Sequence, residues 1–439
     1  MERSLLAAVS GIAANQDFVD TIGSNIANVD TVGYESEDPV FANLLAEQIS
    51  GASAPAGLAV NGGINPVAVG SGVRLAAVLH STQQGSMEQT NQSSDVAISG
   101  SGYLVAIQGA NQVYTRDGQL TLDANGNLVT AEGGLIQGWQ ATSTGAINNT
   151  NPITAIRIPT GEVMLASATT NITMGGNLPA WAGTGAAPTQ TTTIDAYDSL
   201  GNVVPVTFTM TGVTGTANEW TMTATTPNAS GGTTQLFTTP ATITFDPTTG
   251  QISTITGGGG VTGAPGTGFK VSVNAMPVSP PYYFPASDTW TVDFPPSNAV
   301  GNVTQFANQN TFSALNQDGN AAGVLQTYSI GSDGTVTGSF SNGRSMSVGQ
   351  LALATFANPG GLQELGNNAY GTSSNSGQAL IGAPLTGGRG SLVGGSLEMS
   401  NVNLANQLTD LIIAQTDYQA NTKVVTTTAT DLQSIINMP

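Results

Sequence analysis

The sequence predicts a mainly β chain with α-helical termini, and three observations carry that reading. Apolar residues recur in steps of four and three at both ends of the 439-residue chain. Between the ends, β-branched and aromatic residues alternate with polar ones in short runs separated by Asp-Gly and Asn-Gly dipeptides. Glycine, at 56 residues, together with abundant Thr, Ser and Asn, favours short strands and turns over a helical protein. The predicted architecture is N- and C-terminal coiled-coil helices, a discontinuous inner β domain and an inserted outer β domain.

The N-terminal stripe reads Leu5, Val9, Ile12, Gln16, Val19, Gly23 and Ile26, with Ile22 and Val29 beside it. Its helix is predicted to stop within Asn28-Val29-Asp30-Thr31-Val32-Gly33, where Asn, Asp and Gly cluster. The C-terminal stripe reads Leu404, Leu408, Leu411, Gln415, Tyr418, Thr422, Val425, Ala429, Leu432 and Ile436, an unbroken heptad. Such a pattern is a coiled-coil seam. Both helices are weak in isolation, because Val424–Thr428 is a β-branched run and Gly11 and Gly23 lie in a helix interior. They are expected to need partners and to order on assembly. Residues 1–36 and 397–439 form the expected terminal coiled-coil domain.

Residues 37–71 are expected to be a connector or extended loop. It opens with an amphipathic piece from Val40 to Ile49 and passes into a Gly-, Ala- and Pro-rich stretch over 51–72. From 72 to 150 the chain reads as a β meander, with strand-like runs at Val96–Ile98, Tyr103–Ile107, Gln112–Thr115, Leu120–Leu122 and Leu128–Thr130. Asp117-Gly118 and Asn125-Gly126 supply hairpin signals there. Residues 151–301 form a second, Thr-rich β region closed by Pro295-Pro296 and Gly301. Residues 302–396 return to hairpin grammar, with Asp333-Gly334 and Asn342-Gly343 as turns. If the end helices pair, 72–150 and 302–396 make one inner β domain and 151–301 is inserted into it.

Composition excludes several functions. Lys and Arg total 8 against 27 Asp and Glu, a net charge of −19, so no basic patch for nucleic acid or anionic lipid can form. There is no cysteine, which removes disulfides and thiolate chemistry, and His80 is the only histidine, which removes multi-His metal sites. No run is long and apolar enough for membrane insertion as a helix. The apolar Leu5–Val9 stretch is short and continues into a helical pattern carrying Asp17 and Asp20, so no cleaved export signal is expected.

Candidate chemistry is sparse. His80 lies in a strand-like run with no nucleophile motif and reads as structural. Asp123-Ala124-Asn125-Gly126-Asn127 begins like a calcium loop, but Gly134 stands where the loop needs Glu, so a hairpin turn is expected. Gly257–Gly260 and Gly263–Gly268 precede Lys270, but Phe269 breaks a phosphate-loop pattern and a flexible loop is expected. Glu35, Glu37 and Asp38 read as a solvated connector. No catalytic, cofactor or metal site is expected.

Longer segments are more specific. Ala14-Asn15-Gln16 and Ile22–Tyr34, which includes Asn25, Asn28, Gly33 and Tyr34, resemble the N-terminal signature of the bacterial flagellar rod and hook protein family. Leu397–Leu404 and Gln415–Lys423, with Gln419 and Asn421, resemble its C-terminal signature. Asp95–Val105, Tyr114–Gly118 and Leu122–Thr130 are similar to its middle segments, and Ala196–Asn202 is similar to a segment found in its hook-type members. The inserted region points to that hook type. The resemblance implies a structural subunit, exported without a cleaved signal through the flagellar type III export apparatus, that polymerises outside the cell into a helical tube. Such a tube acts as a universal joint passing motor torque from rod to filament. Implied partners are further copies of the chain, a distal rod protein, a hook cap protein and a hook–filament junction protein. The terminal stripes would then be subunit-interface seams, and no enzyme activity or cofactor is implied. Two departures remove a positive charge: Glu35 stands where the family often has Lys, and Thr416 replaces a common Arg. Altered contacts between subunits are expected there. The alternatives are a distal-rod-type axial protein of the same family and a secreted β-rich surface adhesin.

Overall fold

Two long helices bracket the chain: α1, Glu2–Ala27, and α2, Leu404–Ile436. The computed structural model describes residues 2–54, 63–161, 163–228, 231–273, 290–296, 299 and 301–437. The chain divides into two units. The first holds Met1–Pro159, Thr327–Gly338 and Met346–Pro439, and the second holds Thr160–Gln326 and Ser339–Ser345.

In the first unit, α1 is followed by strand Glu37–Asn43, which pairs antiparallel with Val73–His80 through a bulge at Val40/Phe41. Glu47–Ser50 pairs with Val67–Val69. The stretch expected to be an amphipathic connector therefore contributes strands. Its Phe41 packs edge-on against Phe18 of α1, with ring centroids 5.9 Å apart. The proline- and glycine-rich part of that connector at 55–62 lies outside the described residues.

Tyr103–Gln108 is the central strand of the main sheet of this unit. It pairs with Asn111–Thr115, Leu135–Gln140 and Leu353–Thr355. Ser391–Gly394 pairs with Val96–Ser99, and Ser396–Glu398 with Met87–Gln89. Strands from before and after the second unit thus pair with one another. Their shared core holds Tyr103, Val105, Tyr114, Trp139, Ala354, Phe356 and Tyr370.

Three of the four turn dipeptides close hairpins. Asn125-Gly126 joins Leu120–Leu122 to Leu128–Thr130, with Asp123 accepting from the Asn125 and Asn127 amides at 2.8 Å each. Gly334 and Gly343 take φ of +79° and +75° at the other two. Asp117-Gly118 differs, because Asn111–Thr115 and Leu120–Leu122 do not pair with each other. The Gly118 carbonyl instead accepts from Val96 N at 3.0 Å. A side chain at 118 would collide with the Val96 carbonyl.

Among the described residues, the second unit has two six-stranded sheets. One is a meander of Thr189–Tyr197, Val203–Gly212, Glu219–Pro227, Ala241–Phe245 and Ile252–Thr256. Strict in–out alternation along Val203–Gly212 places Val204, Val206, Phe208 and Met210 inside and leaves the threonines facing outward. In the other, Asn171–Pro179 pairs in parallel with both Trp290–Phe294 and Val303–Phe306, and antiparallel with Ser313–Gln317. Those pairings carry the unit on to Gln326 rather than closing it at 301. Thr154–Ala155 pairs with Gln137–Gly138, which keeps 151–159 in the first unit. One core joins both sheets, built on Trp220, Trp290, Phe208, Phe245 and Phe294. Burying side chains of this size stabilises by about 1.5–3 kcal/mol each. The Gly-rich stretch read as a flexible loop is ordered in part as a hairpin, Val261–Ala264 against Gly268–Val273.

Candidate subunit interface

The two helices pair antiparallel within the chain. Asn25 near the end of α1 meets Gln407 near the start of α2, and Gly11 meets Asn421 further along. The α2 start is fixed by Asn403, whose side chain accepts from the amides of Ala405 at 3.1 Å and Asn406 at 3.2 Å. The β-branched run stays helical: the hydroxyls of Thr426 and Thr427 both donate to the Lys423 carbonyl and that of Thr428 to Val424, so none is left unmatched.

The face α1 buries is made of small and polar residues: Ala8, Gly11, Ala14, Thr21 and Asn25, with Ile22 as its one large apolar member. On α2 the buried residues are Gln407, Ala414 and Thr428. Small residues let the backbones approach, and a Cβ on Gly11 would stand 2.8 Å from Asn421 Nδ2. The sequence-derived stripes lie partly elsewhere. Ile22 is buried, while Leu5, Ile12, Val19, Ile26, Val29, Leu411, Thr422 and Val425 are half-buried. Val9, Leu404, Leu408, Gln415, Tyr418, Leu432 and Ile436 face solvent in the single chain, alongside Leu6, Ile412, Ile413 and Ile435. A broad apolar surface is thus left uncovered by the helix pair itself.

At the base of the helices the signature residues converge. Asn25 Nδ2 donates to the Glu37 carbonyl at 2.8 Å and to Gln407 Oε1 at 3.3 Å. Its Oδ1 accepts from Glu37 N at 2.9 Å and from the Tyr34 hydroxyl at 3.2 Å. Asn28 closes the turn after α1, donating to the Ser24 carbonyl at 3.0 Å and accepting from the Thr31 hydroxyl at 3.1 Å. Gly33 takes φ +67°, and a Cβ there would meet the Arg116 and Asp117 backbone at 2.7 Å. Only glycine fits both conditions. Asn421 packs on Gly11, and Gln419 is exposed.

Glu35 is buried, not a solvated connector residue. It accepts from the Tyr103 hydroxyl at 3.0 Å and lies 3.8 Å from Arg116 Nη1, which is 3.4 Å from Glu398 Oε1. Arg116 also donates to the Gly100 and Gly102 carbonyls. One cation thus faces two carboxylates, all about 4% exposed or less. Burial pushes Glu35 and Glu398 above the ordinary carboxylate range, against the opposing pull of Arg116. The departure at Glu35 therefore acts inside the chain. Thr416 remains on the exposed face of α2.

Sequence reasoning missed Asn401, Gln407 and Arg116 as organisers. Asn401 accepts from Ser36 N at 2.7 Å and donates to the Ser81 and Gln83 carbonyls at 2.8 Å each, tying the approach to α2 to two other segments. The available signal was its place in the Leu397–Leu404 signature.

Family models match four segments of the chain. They are the Flagella basal body rod protein over residues 5–34, the Flagellar hook protein FlgE/F/G D1 domain over 97–178, the Flagellar basal body protein FlaE D2 domain over 179–320 and the Flagellar basal body rod FlgEFG protein C-terminal over 393–438. The chain is 34% identical to the flagellar hook protein FlgE of Treponema pallidum, with both chains covered in full. It is 31% identical to that of Escherichia coli K12, with 98% of each covered. The crystal structure of Helicobacter pylori flagellar hook protein FlgE2 resembles it in fold, with a TM-score of 0.50 and 14% identity over 71% of this chain and 100% of that one. With full-length relatives above 30% identity and the family models matched in order along the sequence, this chain belongs to the bacterial flagellar hook protein family.

Proposed function

We propose that this chain is a structural, non-enzymatic subunit of the flagellar hook, polymerising through its terminal helices into a tube that bends while transmitting torque. The observation that carries this is the division of labour on the helices. Their intrachain contact uses small and polar side chains, while Leu6, Val9, Leu404, Leu408, Ile412, Ile413 and Ile436 stay exposed. That surface suits neighbouring copies, and the heptad columns through Leu404, Leu408, Leu411, Gln415, Tyr418, Leu432 and Ile436 would be its seams. On this reading 1–36 and 397–439 line the inner tube. Uncharged threonine faces such as Thr189, Thr191 and Thr193 would make axial contacts that break and reform. Export by the flagellar type III apparatus, addition beneath a cap protein, and joining to a distal rod protein and a hook–filament junction protein follow from the same role.

Immunogold electron microscopy of the source cells with antibody against residues 160–326 tests it. Gold on a short curved segment outside the envelope is the expected result. Gold on a straight structure within the envelope would make this a rod-type member, and label scattered over the cell surface would make it an adhesin.

A further inference from the structure

Beside the end of α1, Glu37, His80 and Glu364 each bring one potential ligand atom to within 4.8 Å of the others. Glu37 and His80 are cross-strand partners, so hairpin register fixes them on one face. Glu364 arrives on strand Gln363–Gly366, whose partner residue Tyr370 packs edge-on against the His80 ring at 6.0 Å and sets its orientation. His80 Nδ1 is buried and has no hydrogen-bond partner among the described residues. Glu37 and Glu364 also line a cavity of ≈ 570 Å³ to which Asp30, Asp117 and Glu132 contribute, and among the described residues no Lys or Arg lines it. A concave site carrying carboxylates and no fixed cation concentrates positive ions.

We propose that Glu37, His80 and Glu364 bind a divalent cation of the zinc class, tying the Glu37–Asn43/Val73–His80 hairpin to strand Gln363–Gly366. An imidazole with two carboxylates is a donor set for zinc or its transition-metal neighbours, whereas calcium and magnesium prefer oxygen alone. Three protein ligands leave a fourth position for water from the cavity. The site cross-links elements of one unit, so it stands or falls separately from the hook role.

The test is isothermal titration calorimetry of the full-length, chelator-treated chain with zinc chloride, accompanied by thermal unfolding. One saturable site per chain is expected, with a rise in unfolding temperature on zinc addition and no competition from excess magnesium. Glu364→Gln changes an exposed residue and keeps the fold, and His80→Gln removes the imidazole; each should weaken zinc by at least about tenfold. Glu88→Gln, at an exposed carboxylate elsewhere, should leave affinity unchanged. Absence of saturable binding, undiminished binding in folded Glu364→Gln, or an equal loss in Glu88→Gln overturns the proposal. The last outcome would mean diffuse attraction to an acidic surface.

Discussion

The side-chain amide of Asn25 donates to Gln407 Oε1 at 3.3 Å, joining two helices 382 residues apart in sequence. The same amide group binds the Glu37 backbone and the Tyr34 hydroxyl, so one buried residue sets the pairing of the helices and the exit path of the chain from α1. With Gly11 opposite Asn421, this contact fixes the antiparallel register of the pair.

Asn25→Ala should therefore cost about 2–3 kcal/mol, since buried polar groups left unmatched cost about 1–3 kcal/mol each. Urea unfolding of the monomer measures it. Asn25→Asp keeps the size but loses both donors, and should recover little of the loss. A change below about 0.5 kcal/mol in both variants would mean the hub is replaceable by water.

Three glycines separate propensity from packing. Nothing lies within 4 Å of a Cβ on Gly23, so Gly23→Ala should stabilise α1 by about 0.5–1 kcal/mol. Gly11→Ala should gain less, because the new methyl must displace the Asn421 side chain. Gly33→Ala combines φ +67° with a backbone collision and should destabilise by at least about 2 kcal/mol. Denaturant midpoints of the three variants give the order directly.

What could be read from the sequence was local. Asn125-Gly126 is legible as a turn because its chemistry sits within five residues, and Asp198 repeats that chemistry, accepting from the Leu200 and Asn202 amides. Asp117-Gly118 is misleading because Arg116 is drawn inward by Glu35 and Glu398, partners that no local rule announces. The far limit of the inserted unit was hidden for a related reason. Val303–Phe306 looks like any strand, and its place follows from parallel pairing with Asn171–Pro179. The helices were legible from their apolar stripes, but not the face they turn to each other, since Gly11, Ala14, Gln407 and Ala414 carry no hydrophobic signal.

The buried charge cluster predicts a pH dependence. Glu35 and Glu398 hold protons more tightly folded than unfolded, each lying above its ordinary value of 4.5. Their contribution to stability is therefore full below about pH 4.5 and is lost as pH rises through the raised values. Asp123 and Asp333 are shifted the other way by turn hydrogen bonds, and their contribution is present above the ordinary Asp range and lost in stronger acid. Glu35→Gln should flatten the fall in stability as pH rises above the ordinary carboxylate range. Urea midpoints of wild type and variant across that rise check it; parallel curves would assign the pH dependence to other groups.

Leu408 distinguishes a monomer contact from an assembly contact. It is 47% exposed, and Ile412 is 63% exposed. Replacing either with Ala in the single chain should change stability by no more than about 0.5 kcal/mol, the range for surface sites. In a polymer that buries them, the same truncation should cost about 2–5 kcal/mol per subunit. Repeated along a tube, that loss would raise the concentration needed for polymerisation well over tenfold. Leu411, half-buried already, should register in both measurements. Monomer unfolding paired with sedimentation of assembled tubes makes the comparison. Polymerisation unchanged in both Leu408→Ala and Ile412→Ala would remove these two positions of α2 from the subunit interface and shift the assignment to the other exposed apolar residues of the helices, such as Leu6, Val9, Ile413 and Ile436.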